Sequence, residues 1–176
     1  MTHDYSSARR GFLKKGLGLG LFATAGYSLS ALTFTDKTQA AEDEVFEITR
    51  TEAEWREILT PQQFEILREE GTERAGSSPL NKEKRAGIFH CAGCDLPVYD
   101  SKTKYDSGTG WPSFYEALPD AVGTREDRSF FMLRTEVHCR RCGGHFGHIF
   151  DDGPQPTGKR HCINGLALTF KPEAAA

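Results

Sequence analysis

"CRRCGGHFGHIFDDGP", residues 139–154, begins with two cysteines two residues apart, Cys139 and Cys142. It passes through glycines that permit close approach around His145 and His148, then enters the strand-like run "GHIFDD" before a Gly-Pro turn. A CxxC turn brings two thiolates to one ion but leaves a tetrahedral site half built. The complement lies upstream in "CAGC", Cys91 and Cys94. Two such turns make an S4 site, for which zinc is the commonest metal. Forty-four residues separate the turns, so the metal would staple distant segments rather than fold a local finger. The competing reading is two disulfides in an exported chain, yet a CxxC disulfide closes a small loop and contributes little stabilisation. A thioredoxin-like redox pair would need a βαβ setting, which neither turn has.

Outward from this stretch, "GIFHC" (87–91), "PVYD" (97–100), "FFMLRTEVHC" (130–139), "GHIFDD" (147–152) and "LALTFK" (166–171) read as strands separated by turns. Alternation is clearest at Leu166, Leu168 and Phe170. The chain has 176 residues, 18 glycines and 12 phenylalanines, a mix that suits one turn-rich, mainly β domain with aromatic packing. Its mean hydropathy of −0.53 fits a soluble globular bulk. Two short helices precede the strands. Thr51 with Glu54 caps "TEAEWREIL", and Thr60, Pro61 and Gln63 open "TPQQFEILREEG", with Gly71 as the stop. Trp55, Ile58 and Leu59 share one predicted face, and Phe64 and Leu67 another. Both faces read as core packing.

The first forty residues have another character. Arg9-Arg10, one spacer and Phe12-Leu13-Lys14 precede a weakly apolar Gly/Ser-containing stretch from Gly16 to Phe34. This resembles a twin-arginine export signal, with Thr38 and Ala40 as the small residues before a cut after Ala40. Residues 41–50 then form an extended lead-in, 51–172 the domain and 173–176 a tail. The expected location is the periplasm, with membrane contact only through the signal. An uncleaved membrane anchor is the alternative, since the apolar stretch is about long enough to span. Of 22 Lys/Arg and 25 Asp/Glu, five and two lie in residues 1–40, leaving 17 and 23. That balance argues against a nucleic-acid partner.

With four cysteines paired off, Cys162 in "GKRHCIN" stands alone. A lone cysteine is usually an inert buried thiol. Here Arg160 and His161 precede it, and cationic neighbours favour a thiolate. His145 and His148 are candidates for acid chemistry. In "SGTGWPSF", residues 107–114, Trp111 sits on a Gly/Pro-framed turn that could wall an apolar pocket.

These blocks, with both CxxC pairs and in this order, resemble the B-type methionine sulfoxide reductases, which reduce the R epimer of methionine sulfoxide. The resemblance runs from about Trp55 to Phe170. It implies two small antiparallel sheets of the β-tent type, short N-terminal helices and one structural zinc on Cys91, Cys94, Cys139 and Cys142. It implies that Cys162 is the nucleophile and is left as a sulfenic acid, with His148 as the acid and His145 polarising the sulfoxide oxygen through water. Asn164 would fix a histidine or the substrate oxygen, Arg160 would favour the thiolate, and Trp111 with Phe150 would hold the methyl group. The implied partners are oxidised proteins carrying methionine-R-sulfoxide, and a thioredoxin-fold reductant or periplasmic thiol relay. The role would be repair of exported proteins after oxidative damage.

Two departures stand out. Many members carry a resolving cysteine where this chain has Thr109, and often a serine where it has Gly165. Two other readings compete with the enzyme. One is a zinc-stabilised peptide-binding module in which Cys162 is incidental. The other is a cysteine hydrolase using Cys162 with His145 or His148.

Overall fold

The computed structural model describes residues 44–129 and 132–174. Residues 1–43, which include the expected export signal, Phe130, Phe131 and the last two alanines lie outside the described residues. Both helix starts are reciprocal caps. Thr51 Oγ1 accepts the Glu54 N–H at 3.3 Å, and the Glu54 carboxylate accepts the Thr51 N–H at 2.7 Å, which starts α1, Glu52–Ile58. Thr60 and Gln63 repeat the device at 3.2 and 3.1 Å for α2, Pro61–Glu69, with Pro61 in the first turn. Each cap is worth about 1 kcal/mol.

Trp55, Leu59, Phe64, Ile66 and Leu67 are buried. Ile58 is not; it is 54% exposed, because α1 ends there and Leu59 turns inward from extended backbone. The stop of α2 also differs from expectation. Glu70, at φ 56°, takes the left-handed position, and Gly71 follows it, donating to Glu65 O at 2.9 Å.

Among the described residues nine strands follow: β1 (Gly87–Cys91), β2 (Pro97–Asp100), β3 (Lys104–Tyr105), β4 (Ser113–Phe114), β5 (Val122–Asp127), β6 (Arg134–Cys139), β7 (His145–Phe150), β8 (Arg160–Ile163) and β9 (Leu168–Pro172). They form a three-stranded sheet, β2-β1-β9, and a six-stranded sheet, β3-β4-β8-β7-β6-β5, antiparallel throughout. The mainly β class and the two-sheet plan expected above are those of the structure. Strands β1 and β2 match the sequence reading. The other expected strands shift. "FFMLRTEVHC" becomes a strand only from Arg134, with Met132 and Leu133 exposed before it. "GHIFDD" starts earlier, at His145, and stops at Phe150. Leu166 lies in a 3-10 turn, Gly165–Ala167, and β9 begins at Leu168.

The core joins the two sheets. Phe114 of β4 stacks on Tyr99 of β2 at 4.3 Å, and Phe89 of β1 meets Phe114 edge-on at 5.0 Å. All three are fully buried, each worth about 1.5–3 kcal/mol. Tyr99 also fixes the facing of β8, because its hydroxyl lies 3.1 Å from His161 Nδ1. With His161 turned to Tyr99 and Ile163 buried in the core, the period-two alternation of β8 turns Arg160 and Cys162 to the opposite face.

Candidate active site

Cys162 sits at the centre of the six-stranded sheet, with Ser113 of β4 on one side and His148 of β7 on the other as its cross-strand partners. Gly147, at φ 153°, leaves no room for a side chain between β7 and β8. A Cβ there would lie 2.1 Å from the Cys162 carbonyl oxygen. This brings Cys162 and His148 to one cavity of about 160 Å3, lined by Thr72, Trp111, Arg134, Gly147, His148, Phe150, Cys162 and Asn164.

Two carboxylate–histidine pairs adjoin the cavity, one of them through the lining residue His148. His148 Nε2 lies 2.7 Å from Asp127 Oδ2, which also accepts from Arg134 at 2.7 Å. Burial pushes the His148 pKa down; Arg134 and His145 add to this, and Asp127 opposes it. Hydrogen bonds from Ser129, followed by His148 and Arg134, hold Asp127 well below the usual carboxylate range. His145 Nδ1 lies 2.7 Å from Glu136 Oε1, and Arg125 also pairs with Glu136. Burial alone would raise the Glu136 carboxyl, but His145 and Arg125 together take it below its ordinary value. The two imidazoles meet edge to face, 5.5 Å apart. His145 is buried and is not part of the cavity lining, so it stands behind His148 rather than at the cavity surface.

Burial also raises the Cys162 thiol pKa, against the pull of Thr109 and Arg160. The cationic flank expected from "RHC" is therefore weaker than the sequence suggested. Burial against Tyr99 pushes His161 down to about 4, so it is neutral at pH 7. Arg160 gives both Nε and Nη2 to Asp152, each at 2.8 Å, and lies over the Phe150 ring at 4.4 Å. Thr109 Oγ1 is 3.9 Å from the Cys162 sulfur and 2.8 Å from Ser107 Oγ.

Asn164 lines the cavity, but its hydrogen bonds go to backbone, not to a histidine. Its Oδ1 accepts the Glu73 N–H at 3.0 Å and its Nδ2 donates to Phe146 O at 3.0 Å. Trp111 and Phe150 are both in the wall. The sequence reading passed over Asp127, Glu136, Arg134, Thr72 and Glu73. The one available signal was an acid, Glu136, beside Val137 in the run "RTEVHC" that reads as a strand.

The four paired cysteines converge away from this cavity. Cys91 ends β1 and Cys94 lies in its turn; Cys139 ends β6 and Cys142 lies in the turn to β7. Each turn closes with an equivalent hydrogen bond, Asp95 N to Cys91 O in one and Gly143 N to Cys139 O in the other, both at 2.8 Å. All four sulfurs lie within 4.8 Å of one another, with Cys91–Cys142 at 3.7 Å and Cys94–Cys139 at 3.5 Å. Sulfurs tetrahedral about zinc at 2.3 Å would be about 3.8 Å apart, so the donor set fits that ion. Both of these approaches run between the turns, and none of the five cysteines is in a disulfide. That geometry excludes a disulfide within each turn as the arrangement of this structure.

Residues 59–172 match the SelR domain family. Among curated proteins, the chain is 53% identical over 131 residues to the peptide methionine sulfoxide reductase MsrB of Pseudomonas putida, covering 73% of this chain and 98% of that one. It is 51% identical over 127 residues to the MsrB of Methanosarcina barkeri, covering 72% and 89%. It is 46% identical over 157 residues to the chloroplastic peptide methionine sulfoxide reductase B1 of Arabidopsis thaliana, covering 89% and 77%. The chain belongs to the SelR domain family.

The SelR assignment and the sulfur geometry together make Cys91, Cys94, Cys139 and Cys142 one structural zinc site. The structure also accounts for Gly165. A Cβ there would lie 1.9 Å from Ser78 Oγ, and Ser78 is itself buried, capping the Leu80 N–H at 3.2 Å. Ser78 thus fills the space that a side chain at position 165 would need.

Proposed function

We propose that this SelR domain is a peptide-methionine (R)-S-oxide reductase in which Cys162 attacks the sulfoxide sulfur. The observation that carries the reading is the placement of the one cysteine outside the metal site beside a carboxylate-paired histidine and an indole in one small cavity. Trp111 and Phe150 supply the apolar wall for the methyl group. A thiol pKa raised by burial and a histidine pKa lowered by burial mean that the resting pair is neutral at pH 7. The proton of Cys162 must therefore move to His148 when substrate binds, producing the thiolate and the acid together. Asp127 stabilises the imidazolium that results, and Glu136 with His145 backs it.

The step balances as follows. The thiolate sulfur bonds to the sulfoxide sulfur, His148 delivers its proton to the oxygen, the methionine S–O bond breaks, and arrival of that hydroxyl on Cys162 breaks the new S–S bond and releases methionine. The sulfoxide gains two electrons, and Cys162 loses two to become a sulfenic acid. With threonine at 109, an external thiol condenses with the sulfenic acid, releasing water, and a second thiol frees Cys162 by exchange. That thiol would come from a thioredoxin-fold protein or a periplasmic thiol relay.

The test is turnover of dabsyl-methionine sulfoxide with each epimer. The R epimer should be reduced and the S epimer left intact, with Cys162→Ser inactive but still holding zinc. Turnover by Cys162→Ser would refute the nucleophile, and peptidase or esterase activity dependent on Cys162 would favour a hydrolase instead.

Export by the twin-arginine route, with repair of periplasmic proteins, is supported by Arg9-Arg10 and the apolar stretch that follows. Replacing both arginines by lysine should retain the precursor in the cytoplasm. Undiminished periplasmic delivery of that variant would refute the route.

A further inference from the structure

Glu73 lies in the segment between α2 and β1, far in sequence from the blocks that carry Trp111 and Cys162, and is only 7% exposed. Every polar group of this residue is used at the site. Its backbone N–H donates to Asn164 Oδ1 at 3.0 Å. Its backbone carbonyl accepts the Trp111 indole N–H at 3.1 Å. Its carboxylate accepts the Gly165 N–H at 2.6 Å and the Leu166 N–H at 3.1 Å. One residue therefore touches the pocket wall and the turn that immediately follows the nucleophile's strand. We infer that Glu73 is a positioning residue that locks Trp111 and the Asn164–Leu166 turn into one unit, so that the apolar wall keeps its place relative to Cys162. The inference rests on the roles proposed above for Cys162 and Trp111.

The chemistry of the contact favours a carboxylate and nothing smaller. Two peptide N–H groups point at the two oxygens, and a buried acceptor pair of this kind costs desolvation that only both hydrogen bonds offset. Burial does push the Glu73 carboxyl above its ordinary value, while the Gly165 and Leu166 N–H groups pull it back. A glutamine has the same length but presents an NH2 to one of the two N–H donors, so one bond is lost. An aspartate keeps the charge but falls one methylene short. Both substitutions leave the backbone contacts to Asn164 and Trp111 chemically possible, so any movement of Trp111 would be transmitted through the displaced Glu73 backbone. Glu73 itself is not part of the lining of the cavity that holds Cys162.

The experiment uses the protein labelled with 5-fluorotryptophan, which gives one fluorine signal each for Trp55 and Trp111, the two tryptophans of the chain. Trp111→Phe assigns them. In Glu73→Gln the Trp111 signal should shift or broaden and the Trp55 signal stay in place. KM for the R-sulfoxide should rise about tenfold, with kcat changed less than threefold, because Glu73 acts on the wall and not on the reacting atoms. A residue that merely stabilised the fold would lower the melting temperature without moving the Trp111 signal or KM. That outcome, or unchanged kinetics with both signals in place, would overturn the inference. Should Glu73→Gln lose its zinc, Glu73→Asp decides by the same two readings. If the parent protein reduces no sulfoxide, the reading of Cys162 fails, and the fluorine signals still report on Glu73.

Discussion

Replacing Gly147 by alanine should separate the nucleophile from its acid. The added Cβ would stand 2.1 Å from the Cys162 carbonyl oxygen and 3.3 Å from Ile163 Cα. Non-bonded carbon and oxygen need about 3.2 Å, so β8 must retreat from β7 by about 1 Å. The backbone of Cys162 and the strand carrying His148 move apart by that amount. A displacement of about 1 Å between reacting groups costs on the order of 100-fold in rate. The backbone at φ 153° adds about 1–3 kcal/mol of strain for a residue with a side chain. The assay is kcat/KM on the R-sulfoxide, with zinc content and circular dichroism to show that the fold persists. The expected result is a loss of about two orders of magnitude with zinc retained. Activity within threefold of the parent would show that the β7–β8 approach does not set the geometry of the reaction.

Asp127→Asn should cut kcat/KM by about tenfold, because a carboxylate 2.7 Å from His148 on a partly exposed strand stabilises the imidazolium by about 1–2 kcal/mol. The pH profile offers the sharper check. The parent should show a broad plateau, since His148 titrates below its ordinary value and Cys162 above its own. In Asp127→Asn the acid limb should move to still lower pH, and an unmoved limb would remove His148 as the titrating acid. Cys139→Ser should lose zinc and stability together, measured by metal analysis and thermal melting, because binding free energy in such a site is folding free energy. A variant that melts like the parent without metal would show that the S4 cluster is not what joins β1 to the β6–β7 hairpin.

The sequence was most legible where one residue decides its own local geometry. Thr51 and Thr60 marked both helix starts, and the two CxxC turns marked the metal site. It was least legible where the decision is tertiary. Strand β5, "VGTRED", is polar and lies at a sheet edge, so it carries no apolar alternation, yet it brings Asp127 to His148 and Arg125 to Glu136. Strand β8 is four residues long, and "RHCI" looks like a charged flank until Tyr99 fixes which way His161 turns. The same fact limits the electrostatic reading of "RHC". A sequence shows two cations beside a thiol, whereas the fold neutralises one by burial and ties the other to Asp152. Glu73 escaped, and Asn164 was given the wrong partner, for a related reason, since their side chains meet backbone groups of segments about ninety residues away.

The central claim is that Cys162 takes the two-electron oxidation that reduces the substrate. It is tested most directly by a single turnover without reductant, followed by dimedone and mapping of the adduct by mass spectrometry. One equivalent of methionine should appear with one dimedone adduct on Cys162, and Cys91, Cys94, Cys139 and Cys142 should remain on zinc. Methionine released with Cys162 unmodified, or with the adduct on a zinc-site cysteine, would contradict the account.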